Sequence, residues 1–155
     1  MQTVSIHPLL WQQLVHELRE RGENCRESGA FLLARPDERE ITAFVCFDDL
    51  DPHCLKGRYI EFSSEGFSKL WEYCKQHSLE VIADVHTHPA TNTRQSWWDM
   101  NNPMIVLKGH TALIIPSYAQ GNDDSLDGVG AYCYEGNKQW SNLTLTSKFF
   151  TNGTY

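Results

Sequence analysis

Leu10, Leu14 and Leu18 recur every four positions near the start of the chain, with Trp11 and Val15 widening the stripe. That spacing predicts an amphipathic helix over Pro8–Arg21, with Pro8 suited to its first turn and Gly22 to its end. The period then falls to that of strands. Gly29–Ala34 is a short apolar run closed by the turn-forming Arg35-Pro36-Asp37-Glu38, and Ile41–Phe47 reads as the second arm of a hairpin. Asp48–Arg58 reads as a loop and Tyr59–Phe62 as a third strand. Ser63 or Ser64 caps a helix in which Phe67, Leu70, Trp71 and Cys74 step by three and four. Leu79–His88 follows as the central strand. Pro103–Leu107 is apolar, with no period to choose between helix and strand. Thr111–Ile115 is a buried strand stopped by Pro116, and Ser117–Gly128 is a polar loop expected to be mobile. Val129–Tyr134 and Gln139–Leu145 form a last hairpin across Glu135-Gly136-Asn137-Lys138. Phe149 and Phe150, in a tail without other pattern, imply that the tail docks. The order predicts one α/β domain over residues 1–155, a mixed, curved sheet flanked by helices.

Composition narrows the classes. A formal charge of −7 argues against nucleic acid as the main partner, because phosphate binding needs a basic footprint. No apolar run approaches a membrane span, and the first residues lack the charged and apolar regions of a signal peptide. The five cysteines are odd in number, scattered, and never in a Cys-x-x-Cys pair. They read as reduced, mostly buried thiols, so the expected location is cytoplasmic.

The chemistry concentrates between Val81 and Asp99. Side chains two apart on a strand share a face, so His86 and His88 point the same way. Pro89 ends regular pairing, and Ser96 is a natural N-cap for the turn Trp97-Trp98-Asp99. Two imidazoles and one carboxylate converging on a point make three ligands for a borderline metal and leave a fourth position open. Such a His pair can also be ordinary surface. Asp84 shares the histidine face, placed either to orient an imidazole or to make a surface salt bridge, while Thr87 points to the opposite face. Trp97 and Trp98 diverge around the turn, one expected in the core and the other against a groove. His7 and His16 read as solvated, and His53 as solvated or packing.

His86-Thr87-His88-Pro89, seven residues between His88 and Ser96, and two between Ser96 and Asp99 resemble the JAMM signature of the JAB/MPN metalloprotease family. The family's upstream Glu, at the start of the first strand, corresponds to Glu27 in Glu27–Ala34. The resemblance implies the JAB/MPN (cytidine-deaminase-like) fold and one Zn2+ per chain, held by His86, His88 and Asp99. It implies Glu27 as general base and later proton donor, and Ser96 as an oxyanion donor. It further implies hydrolysis just after the C-terminal Gly of a ubiquitin-like protein, the partners being that protein and its conjugates. The loops Asp48–Arg58 and Ser117–Gly128 are short beside the insertions of eukaryotic deubiquitinases. The chain is therefore similar to the compact prokaryotic members found in bacterial ubiquitin-like conjugation operons, some linked to antiviral defence. Two alternatives stay open: a peptidase processing a sulfur-carrier precursor or a small amino-acid adduct, and a non-catalytic MPN scaffold. A nucleoside deaminase would need Pro-Cys-x-x-Cys, which the chain lacks. Oligomeric state and the identity of the target are not legible.

Overall fold

Six strands share one sheet in the computed structural model, which describes residues 3–151. In chain order the elements are β1 (Ser5–Ile6), α1 (Pro8–Gly22), β2 (Gly29–Ala34), β3 (Glu40–Ile41), β4 (Ala43–Cys46), α2 (Phe47–Leu50), α3 (Ser64–His77), β5 (Glu80–Thr87), α4 (Trp97–Asn101), β6 (Thr111–Ile115), β7 (Gly130–Gly136) and β8 (Gln139–Asn142). The sheet order is β4-β2-β5-β6-β7-β8, and β1 pairs separately with β3. Only β5 and β6 run parallel within the six-stranded sheet. A hairpin cannot join parallel neighbours, so the chain must leave the sheet after β5 and cross over before β6. That crossover carries α4.

Each face of the sheet has its own core. On one side Trp11, Leu14, Val15 and Leu18 of α1, all fully buried, pack with Leu32, Val85, Leu113 and Phe149. Each such side chain contributes about 1.5–3 kcal/mol of burial. Trp11 meets Phe149 edge to face at 5.5 Å, so the tail docks where its aromatics implied. On the other side Phe31, Leu33 and Phe47 pack with Leu50, Leu70 and Cys74 from α2 and α3. This second core covers only the β4-β2-β5 half. Among the described residues no helix is long and apolar enough to cross a membrane.

Several expectations need correction. Tyr59–Phe62 is not a strand. Its aromatics find partners outside any ladder, Phe62 against Phe67 at 4.8 Å and Tyr59 stacked on Trp98 at 5.1 Å, and its Glu61 N–H donates to Cys54 O in the preceding loop. The apolar residues there record side-chain packing rather than a ladder. The Ile41–Phe47 run breaks at Thr42, and Phe47 opens α2, so the expected loop begins with a helical turn. The strand expected to reach Leu145 ends at Asn142. Ser117–Gly128 is pinned rather than loose. The Trp11 indole donates to Asn122 O at 2.6 Å, and the buried Asn122 amide donates to Ser125 O and Asp127 O. His7 is no bystander either: its Nδ1 accepts from Leu9 N–H and caps α1.

Candidate metal centre

β5 presents His86 beside Gly29 of β2, and His88 follows just past the strand's end. Gly29 is required by this approach. A Cβ there would lie 2.4 Å from a Phe47 ring atom and 2.5 Å from Val85 O. Thr87, on the opposite face and fully buried, ties the strands together beyond the last ladder pair. Its Oγ1 accepts from Ser28 N–H at 3.0 Å, and its own N–H donates to Ser28 O at 2.9 Å. That clamp fixes Glu27, the next residue back, at the edge of the histidine pair.

A second clamp comes from a strained turn. Ser117, Tyr118 and Ala119 all have left-handed backbone, with φ of 55°, 51° and 63°. Non-glycine residues pay about 1–2 kcal/mol each in that region. The turn aims Ser117 N–H at Ala90 O (3.0 Å) and Tyr118 N–H at His88 O (2.9 Å). Strain is spent on holding the His88–Ala90 stretch.

The crossover supplies the carboxylate. Ser96 caps α4 in a reciprocal box: its Oγ accepts from Asp99 N–H at 3.1 Å, while Asp99 Oδ2 accepts from Ser96 N–H at 2.9 Å. The same carboxylate faces both rings, with Oδ1 3.3 Å from His86 Nε2 and Oδ2 3.1 Å from His88 Nε2. The two Nε2 atoms are 3.2 Å apart. His86, His88 and Asp99 form a group whose donor atoms all lie within 4.8 Å of one another.

Two features of this group fit a cation. With bonds of about 2.0–2.1 Å, the edges of a tetrahedral site measure about 3.3 Å, close to the separations found. The proton count agrees. His88 Nδ1 lies 3.1 Å from Asn92 O, and a carbonyl can only accept, so Nδ1 carries the ring's proton. In the neutral ring Nε2 then turns a lone pair towards the Asp99 carboxylate. Such an arrangement needs a positive charge between the lone pairs. Burial works to raise the Asp99 carboxyl, but where no metal is bound and the rings carry Nε2 protons, hydrogen bonds from His86 and His88 outweigh it and hold the group well below the usual carboxylate range. Burial would lower His86, and the Asp99 hydrogen bond and charge reverse the sign and hold it above the usual imidazole range. For Glu27 burial dominates and pushes the carboxyl up, against the opposing charges of His86 and His88.

No family model matches the chain. Solved structures do. A protein from Desulfitobacterium hafniense superposes with a TM-score of 0.64 at 17% identity, over 91% of this chain and 90% of its own. One from Salinibacter ruber gives 0.60 at 15%, over 92% and 90%. A JAB1/MPN domain protein from Archaeoglobus fulgidus gives 0.50 at 15%, over 92% and 97%. The chain has the JAB1/MPN domain fold.

Within this JAB1/MPN fold the donor group lies at the floor of a groove with two unlike halves. One half is apolar, walled by Phe47, Ile60, Trp98, Met104 and Ile114. The other is polar, with Arg58, Tyr59, His88, Ser96 and Tyr118. Glu27 lines both. Trp98, stacked on Tyr59, separates them, and Trp97 is 74% exposed. Neither tryptophan enters the core, because α4 is only five residues long and buries none of them. Asp84 also departs from expectation. It neither touches the metal-donor rings nor reaches the surface; it is buried and bonds His110 Nε2 at 2.7 Å. His110 was not foreseen, because it lies 26 residues away and only the β5–β6 register brings it alongside.

Proposed function

We propose that this chain is a zinc-dependent isopeptidase that releases a ubiquitin-like protein from its target. The observation that carries the reading is the convergence of His86, His88 and Asp99 beside the partly buried Glu27. Zinc suits two imidazoles and one carboxylate, and when bound it polarises a carbonyl and brings water towards a pKa of about 7. The remaining work falls to side chains. Glu27, raised by burial, accepts a proton from the attacking water and returns it to the departing amine nitrogen. Ser96 Oγ uses a lone pair for the Asp99 N–H, so its own hydrogen remains available to the oxyanion. Capping and catalysis are compatible in one hydroxyl. Thr87 and the strained turn hold the geometry.

In this reading an extended tail ending in Gly threads the groove past the Tyr59–Trp98 stack, where larger residues beside the cut would clash. A bacterial ubiquitin-like conjugation system, including those with an antiviral role, is the setting we favour. A peptidase for a sulfur-carrier precursor or small amino-acid adduct would use the same residues, and the short, walled apolar half of the groove favours that second reading. The test is a model conjugate with tails ending in Gly or in a bulky residue, given to the wild type and to Glu27→Gln. The variant should keep its zinc and lose at least about a hundredfold in turnover, the scale of a missing general base. Normal turnover by Glu27→Gln would remove Glu27 from the mechanism. Equal cleavage of both tails, or of short free peptides, would favour the second reading.

A further inference from the structure

At the opposite end of β5 from the metal-donor group, Arg39, Lys108 and His110 line a second cavity of about 380 Å³ together with Val81, Ile82 and Leu107. Val81 and His86 are five residues apart on the strand, which separates the two places by about 16 Å. The chain's formal charge is −7, so two cationic side chains, Arg39 and Lys108, in one concavity run against its overall sign, while His110 is paired with Asp84. Arg39 Nε is buried without a hydrogen-bond partner, a costly state for an N–H. Among the described residues the ion pairs involve Arg19, Arg21, His86, His88 and His110, and neither Arg39 nor Lys108. Three acidic groups of the neighbouring strands have partners of their own, while the exposed Glu38 and Glu40 flank Arg39 in sequence. Glu80 accepts from Asp37 N–H, Asp84 from His110, and Glu135 from the Ser141 hydroxyl. Gly109, with φ of 93°, makes the bend between Lys108 and His110 that a side chain would strain. The remaining wall is aliphatic, and its Leu107 is 64% exposed.

We propose that this cavity binds a small organic anion, a carboxylate or phosphate head on a short aliphatic chain. The head group meets the Arg39 guanidinium and the ammonium of Lys108. The aliphatic part covers Val81, Ile82 and Leu107. This open depression of about 380 Å³ leaves room for both parts of such a ligand. The site stands independently of the metal chemistry, although His110 joins it to the groove through one hydrogen bond to Asp84.

The test is an NMR titration of the isotope-labelled full chain with four probes: hexanoate, hexyl phosphate, hexanol and inorganic phosphate. One or both hexyl anions should give saturable shifts at Val81, Leu107, Gly109 and His110, and the better anion identifies the head group. Hexanol and inorganic phosphate should each bind at least about tenfold more weakly, because each lacks one half of the recognition. Arg39→Gln with Lys108→Gln should weaken the hexyl anion by at least about tenfold and leave the rest of the spectrum in place. Lys108 is exposed, so Lys108→Gln alone decides the matter if the double variant does not fold. Hexanol binding as well as the anions, shifts centred elsewhere, unweakened binding by the variants, or no saturation with any probe would each overturn the assignment.

Discussion

Two imidazole–carboxylate groups start from the same face of β5, two residues apart, and they are built to opposite ends. Asp84 and His110 are a closed pair: one acceptor, one donor, 2.7 Å, with side chains 5% and 2% exposed. His86, His88 and Asp99 are oversubscribed, two rings to one carboxylate, with ring nitrogens 3.2 Å apart and His88 turned lone pair outward. The first group is complete without anything added. The second has more ring nitrogens than one carboxylate can pair, and a ring proton or a metal ion between them balances it. Burial and residue type barely distinguish them; the count of donors and acceptors does.

Metal content should separate the two groups most sharply. We expect about one zinc per chain, falling close to none in His88→Ala or Asp99→Ala, with His110→Ala unchanged. Elemental analysis showing full zinc in both cluster variants would remove the ligand assignment. Stability reverses the contrast. His110→Ala leaves Asp84 buried without its donor and should cost about 3 kcal/mol in urea unfolding. An unshifted midpoint would mean the pair is not closed. Chelation, by linkage, should destabilise the metal-loaded wild type by about 2.7 kcal/mol where zinc had been held at a hundred times its Kd. The Asp99→Ala variant should not respond to chelator. Ser96→Ala is the smallest change, costing about 1 kcal/mol of cap, and the measurement of interest is whether turnover falls further than stability. A proportional loss would leave Ser96 a cap alone.

The cluster and the pair also differ in how far they could be read from residues. His86 and His88 share a face through the period of a strand, and Ser96 and Asp99 share a helical turn through a capping rule. Both rules act over a few residues, so those relations were legible. The Asp84–His110 contact depends on a parallel register, which no local pattern encodes. Tyr59–Phe62 failed for a related reason: a short run of aromatic and β-branched residues suits a strand, but its backbone joins no ladder, and only the neighbours decide. Arg39 and Lys108 lie 69 residues apart, and only the folded sheet brings them to one cavity.

By itself, then, the chain's order of apolar runs determined the elements of a mixed α/β domain, and its short-range spacing determined which donors travel together. Tertiary structure decided that the β5–β6 crossover returns Asp99 over the strand that carries the histidines, because parallel neighbours force the chain out of the sheet and back. It decided that a left-handed turn some thirty residues on would hold His88, a cost that only the assembled fold can sustain. It also decided which carboxylate was satisfied and which was left needing a cation, since hydrogen-bond partners are counted in space and not along the chain.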